Sequence, residues 1–74
     1  MLEVDFVAER IDGVTLPIEV KFRRRIDAED LKGVRAFLSR FDAPHGIIVT
    51  RDHFHWDEES RILQVPLLDF LLAF

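Results

Sequence analysis

The sequence predicts an α/β domain built on a small mixed sheet, and three patterns carry that prediction. Apolar residues alternate with period two over residues 2–9 and again over 14–22, as they do in strands. From Asp27 the period changes: Leu31, Val34, Leu38 and Phe41 follow the i, i+3, i+7 spacing of one buried helical face, with Phe37 beside it. Gly46 to Thr50 is then an unbroken apolar run, the pattern of a central strand covered on both faces.

Each element has local chemistry behind it. Ile11-Asp12-Gly13 separates the first two strands, and a three-residue hairpin loop wants glycine at its last, left-handed position. That loop pairs Arg10 with Val14, and then Ala8 with Leu16, Phe6 with Ile18 and Val4 with Val20 on one apolar face. The other face pairs Glu9 with Thr15, Val7 with Pro17, Asp5 with Glu19 and Glu3 with Lys21. A two-residue Asp-Gly loop would scatter the apolar residues over both faces, because one step of slip moves a whole row. Asp27 is placed to cap the helix, with Glu29 and Asp30 in its first turn. Gly33 lowers helix propensity by about 1 kcal/mol, for which close packing on the sheet is the expected reason. Ala43 to Gly46 reads as a turn, Arg61 to Val65 as a short strand, and Pro66 opens a last helix over Leu67 to Phe74. The expected order is β-β-α-β-β-α, with an antiparallel N-terminal hairpin.

Bulk composition narrows the function classes. With 74 residues the chain makes one domain near the lower size limit for independent folding. It has no cysteine, which removes disulfides and thiolate metal sites and suits a reducing cytoplasm. No apolar stretch approaches the roughly 20 residues of a membrane span, so no membrane role is expected. A net charge of −4 argues against a general nucleic-acid coat while leaving room for a local basic patch.

The hairpin register sets the carboxylates of Asp5 and Glu19 opposite one another, with Lys21 two residues on along the same face. Like charges facing across strands cost roughly 0.2–1 kcal/mol. A divalent cation reverses that sign: two carboxylates, a nearby backbone carbonyl and waters suit octahedral Mg²⁺ or Mn²⁺. The Lys21 ammonium could then orient an attacking water or stabilise charge growing on a phosphate. The plainer alternative is a hairpin whose outer face carries solvated charges.

An Asp strand followed by a Glu-x-Lys strand, a helix and a further strand resembles the PD-(D/E)XK nuclease superfamily. More narrowly, Glu3 to Val7, Pro17 to Lys21, Arg23 to Arg25, the glycine-containing helix and Val65 to Leu71 resemble the C-terminal domain of uncharacterised bacterial and archaeal AAA-type ATPases. The resemblance runs through almost the whole chain. It implies a truncated restriction-endonuclease-like core that hydrolyses nucleic-acid phosphodiester bonds with Mg²⁺ or Mn²⁺. Asp5, Glu19 and the carbonyl of Val20 would be the metal ligands, Lys21 the catalytic lysine and Glu3 an auxiliary residue.

The superfamily core opens with a helix and a strand before the Asp strand, and this sequence begins at Met1 just ahead of that strand. An open sheet edge exposes unpaired backbone groups. A homodimer is therefore expected through that edge or through the apolar last helix, or else the chain is a fragment of an ATPase-linked protein. Without catalysis, the same fold would serve as a DNA-binding or oligomerisation module. No glycine-rich phosphate loop occurs, so nucleotide hydrolysis would belong elsewhere.

Three further groups carry two readings each. Arg23, Arg24 and Arg25, extended by Lys32 and Arg35, could hold a DNA backbone or could be a solvated strand end. His53, His55 and Asp57 share strand spacing, but structural zinc normally needs four protein ligands and the surrounding charges suggest a polar loop. Phe54 and Trp56 on the alternate face are expected in the core or in a subunit interface.

Overall fold

The computed structural model describes residues 4–23 and 25–73. Glu3 and Arg24, and with them the expected pairing of Glu3 with Lys21, lie outside the described residues. The elements are β1 (Phe6–Glu9), β2 (Thr15–Val20), α1 (Ala28–Phe41), β3 (Gly46–Thr50), β4 (His55–Asp57), β5 (Ile62–Pro66) and α2 (Leu67–Ala73). They form a mixed five-stranded sheet in the order β1-β2-β3-β5-β4. The hairpin β1–β2 is antiparallel, β2, β3 and β5 run parallel, and β4 returns antiparallel on the far edge. The fold is thus the expected α/β class, with β4 as an addition. Three residues inside a charged loop give too little alternation to be seen as a strand.

The hairpin has the register its turn chemistry demands. Phe6 pairs with Ile18, Val7 with Pro17, Ala8 with Leu16 and Glu9 with Thr15. Gly13 sits at φ 87°, and Arg10 donates to the Val14 carbonyl at 2.9 Å. Pro17 is tolerated because the parallel ladder to β3 starts one residue later, at Ile18 with Ile47.

One expectation about the hairpin is corrected. The ladder stops at Phe6, and Asp5 forms a bend instead of a strand residue. Val4 therefore does not extend the Phe6–Ala8 face to meet Val20. It packs with Ile26 and Leu31 against the cluster of Val34, Phe37, Leu38, Ala43, Ile48 and Ile62 beneath α1.

The pleat gives the sheet two unlike faces. On one, a row of Phe6, Ile18, Ile47, Leu63 and Trp56 crosses all five strands without a polar side chain. Ala8, Leu16, Val49 and Val65 continue that apolar character, and Leu67 and Phe70 of α2 pack on part of it. The neighbouring row on the α1 face is mixed: Glu19, Ile48, Gln64 and His55. Gln64 is buried, and among the described residues its Oε1 has no hydrogen-bond donor.

Asp27 caps α1 as expected, and the cap is a reciprocal box. Asp30 N–H donates to the Asp27 carboxylate and Asp27 N–H to the Asp30 carboxylate, each at 3.1 Å. Val34, Phe37 and Leu38 are buried, whereas Phe41, the last helical residue, is 55% exposed, its ring 4.6 Å from that of Phe37. The tight helix–sheet approach is at Gly46 of β3, where a Cβ would stand 2.4 Å from Val34 Cγ1. Gly33 is half-buried within α1. Phe54 and Trp56 are both exposed, because β4 is an edge strand; the Trp56 ring lies 5.7 Å from that of His45 between centroids.

Candidate functional site

Parallel β2, β3 and β5 all end at the side of the sheet where α1 begins, the side on which open α/β sheets collect ligands. Asp5, Glu19 and Lys21 meet there. Lys21 N–H donates to the Val49 carbonyl at 2.8 Å, so the β2 backbone stays locked to β3 as far as the lysine. Asp5 is exposed, and Glu19 and Lys21 are half-buried.

The bend at Asp5 serves a hydrogen bond. Its carboxylate Oδ2 accepts from the Val20 N–H at 2.8 Å. That N–H holds the Asp5 carboxyl below its ordinary range, helped by side-chain hydrogen bonding with the Glu19 carboxyl and by the Lys21 ammonium. Glu19 moves the other way. Burial comes first among the causes, followed by side-chain hydrogen bonding with Asp5 and the negative charge of Asp5, with Lys21 opposing. The two carboxyls are thus in contact and electrically unlike: Asp5 stays ionised while Glu19 is reluctant to lose its proton.

Asp30 belongs to this neighbourhood, although its sequence position suggested only a favourable charge at a helix start. It is buried, and its carboxylate receives the Arg23 guanidinium at 2.7 Å. Burial pushes its carboxyl up, but the Asp27 N–H, the charges of Arg23 and Lys21 and the cap bond together hold it below the usual range. Lys21 therefore feels three carboxylates: Asp5, Glu19 and Asp30. The Asp27-x-x-Asp30 spacing of a capping box was the available clue to Asp30.

The expected basic patch is divided by the fold. Arg23 is committed to Asp30, its N–H also meets the Lys21 carbonyl at 2.6 Å, and Arg25 and Lys32 are exposed. Arg35 lines a cleft of about 230 Å³ with Ser39, Ser60 and Arg61, beside the start of β5. That is the opposite end of the parallel strands from Glu19, so Arg35 is not part of the carboxylate cluster.

The histidine trio does not assemble either. His53 precedes β4, its N–H donating to Thr50 Oγ1 at 3.0 Å, and Asp57 is occupied by the Ser60 hydroxyl at 2.7 Å. Among the described residues no group of three or more His, Cys, Asp or Glu side chains could hold a metal ion. At Asp5 and Glu19 the side-chain donors are two carboxylates, the first fixed against the Val20 N–H. Both offer hard oxygens, and the Glu19 carboxyl is raised chiefly by burial and then by its Asp5 neighbour, with Lys21 opposing. Such a set fits Mg²⁺ or Mn²⁺, which keep several waters and take few protein ligands, better than zinc.

Among the described residues no helix is long and apolar enough to cross a membrane. The model of one protein family, described as a domain of unknown function (DUF4143), matches residues 1–70. No curated protein and no solved structure matches the chain.

Proposed function

The chain belongs to the DUF4143 family, and from that premise we propose that it is a metal-dependent, PD-(D/E)XK nuclease-like domain acting on DNA in the cytoplasm. The observation that carries this reading is the contact of two carboxyls of opposite proton affinity beside a half-buried lysine. A solvated hairpin surface has no use for the Asp5 bend. It would keep Asp5 in the ladder and let the carboxylates splay into water.

In this reading Asp5 and Glu19 would hold Mg²⁺ or Mn²⁺ through their carboxylate oxygens, with the Val20 carbonyl as the third protein donor. When bound, the cation supplies positive charge against the phosphate and acidity to a water. The chain's own part is to position. Lys21, fixed through its backbone to β3, directs the attacking water and stabilises negative charge developing on the phosphoryl oxygens. Asp30 takes Arg23 and steadies the segment that follows Lys21, leaving Arg25 and Lys32 for the substrate backbone.

Divalent-metal titration and plasmid nicking test this directly, with wild type, Asp5→Asn and Lys21→Met compared. The expected result is cleavage by wild type alone, with metal binding kept in Lys21→Met and lost in Asp5→Asn. Cleavage that persists unchanged in both variants sinks the assignment. Metal binding without cleavage in wild type would leave a non-catalytic module for DNA contact or assembly.

A further inference from the structure

We infer that the chain forms a two-fold symmetric homodimer in which α2 of each copy lies on the β1–β2 part of its partner's apolar sheet face. This does not rest on the nuclease reading, since the carboxylate cluster occupies the other face.

The face is too large for the helix that covers it. Five strands at about 4.8 Å spacing span roughly 19 Å. Helix α2, with 7 residues, is about 10 Å long. Among the described residues its backbone lies close to β3 and β5 only. Although Leu67 and Phe70 share a cluster with buried Ile18 and half-buried Leu16 of β2, the outer rim at Phe6, Ala8 and Val20 stays open. Phe6 is accordingly 61% exposed and Val20 38%. Sheets with parallel strands normally have both faces covered, because each face needs its own apolar contact.

The helix has the matching surplus. Leu67 and Phe70 turn toward the sheet, while Leu68, Leu71 and Leu72 are 68%, 62% and 79% exposed. A ridge of leucines thus stands beside an uncovered apolar shelf on the same side of the sheet. A two-fold axis between ridge and shelf lets each copy fill the other's shelf, the self-complementary contact of an isologous dimer. Together the exposed apolar residues of ridge and shelf present on the order of 700 Å², close to the roughly 800 Å² per partner of a standard interface. Among the described residues of the five strands this face carries no charged side chain. Charge depletion of that kind marks the cores of homodimer interfaces. The free edge of β1 is the rival contact, but it would leave both apolar surfaces in water.

Sedimentation at tens of micromolar should give the mass of two 8.7 kDa chains. Leu68→Glu and Phe6→Lys should each give a monomer with an unchanged far-UV circular dichroism spectrum, since both side chains point outward. Mixing the two variants should restore a dimer, because the new Glu and Lys meet across one half of the interface while the other half keeps its native residues. A monomeric wild type overturns the inference and assigns the face to a different chain. A dimer that survives Leu68→Glu also overturns it, in favour of the β1 edge. Assemblies larger than two, or monomeric variants that fail to pair on mixing, overturn the reciprocal geometry.

Discussion

The carboxylate of Asp5 accepts the Val20 N–H at 2.8 Å, where regular pairing would put the Val4 carbonyl. Alternate residues of an antiparallel strand bond to the same neighbour, so after Leu16 and Ile18 it is Val20 that next faces β1. A side chain has replaced a main-chain acceptor. The ladder ends one step early, Val4 is freed to pack under α1, and a negative charge is fixed against the backbone beside Glu19.

Two substitutions at Asp5 separate its roles. Asp5→Ala removes the acceptor of the Val20 N–H and should cost about 1–2 kcal/mol in urea unfolding without added metal. Asp5→Asn keeps an oxygen acceptor and should lie closer to wild type, yet lose any stabilisation by Mg²⁺. If Asn and Ala are equally damaging without metal, the hydrogen bond is not what Asp5 contributes to the fold.

Glu19→Gln should make the metal-free domain more stable at pH 7. Its carboxyl has a raised folded pKa, so ionisation costs stability, and that cost disappears as pH falls through the raised value. Opposed like charges on strands suggest a gain of roughly 0.2–1 kcal/mol. Saturating Mg²⁺ should reverse the order, since a ligand at 100 times its Kd adds about 2.7 kcal/mol to the wild type only. Thermal melts in chelator and in Mg²⁺ read both halves. A wild type indifferent to Mg²⁺ would count against a metal site at this pair.

Much of this was legible in the sequence because turn chemistry and periodicity act locally. Gly13 set the hairpin register, and the register set Asp5 near Glu19. The bend itself was not legible: an alternating Leu2-to-Val7 segment gives no hint that a side chain will outcompete a carbonyl. Asp30 was hidden for a related reason, since its partner Arg23 meets it only after the chain turns from β2 into α1. Arg35 looked like an extension of the basic run, but helix α1 carries it toward the start of β5. Phe41 kept the helical spacing and still escaped burial, because periodicity does not say where the sheet ends.

Asp30 gives the acid limb of the stability curve a defined contribution. Its folded pKa is depressed, so its stabilisation is complete above the unfolded value of about 3.9 and is lost as pH falls through the folded value. Asp30→Asn should cost about 1.5–3 kcal/mol at pH 7, the range for hydrogen bonds to a charged group. The difference from wild type should shrink steadily below pH 4. Urea unfolding at a series of pH values checks this, and a pH-independent difference would show that the Arg23 pair is not its source.

Gly46 and Gly13 should fail for different reasons when replaced by alanine. At Gly46 the new Cβ would stand 2.4 Å from Val34 Cγ1, a position no methyl can share, and α1 must move off β3. Overpacking of this kind costs about 1–3 kcal/mol. At Gly13 nothing lies within 4 Å, so Gly13→Ala should cost only the left-handed backbone at φ 87°, about 1 kcal/mol, and Gly13→Asn less. Val34→Ala separates the two mechanisms. It removes the clashing Cγ1, so combined with Gly46→Ala it should lose much less stability than the two single changes would together. Combined with Gly13→Ala it should simply add, because the sites share no contact. Additivity at Gly46 as well would mean that α1 does not approach β3 through that glycine.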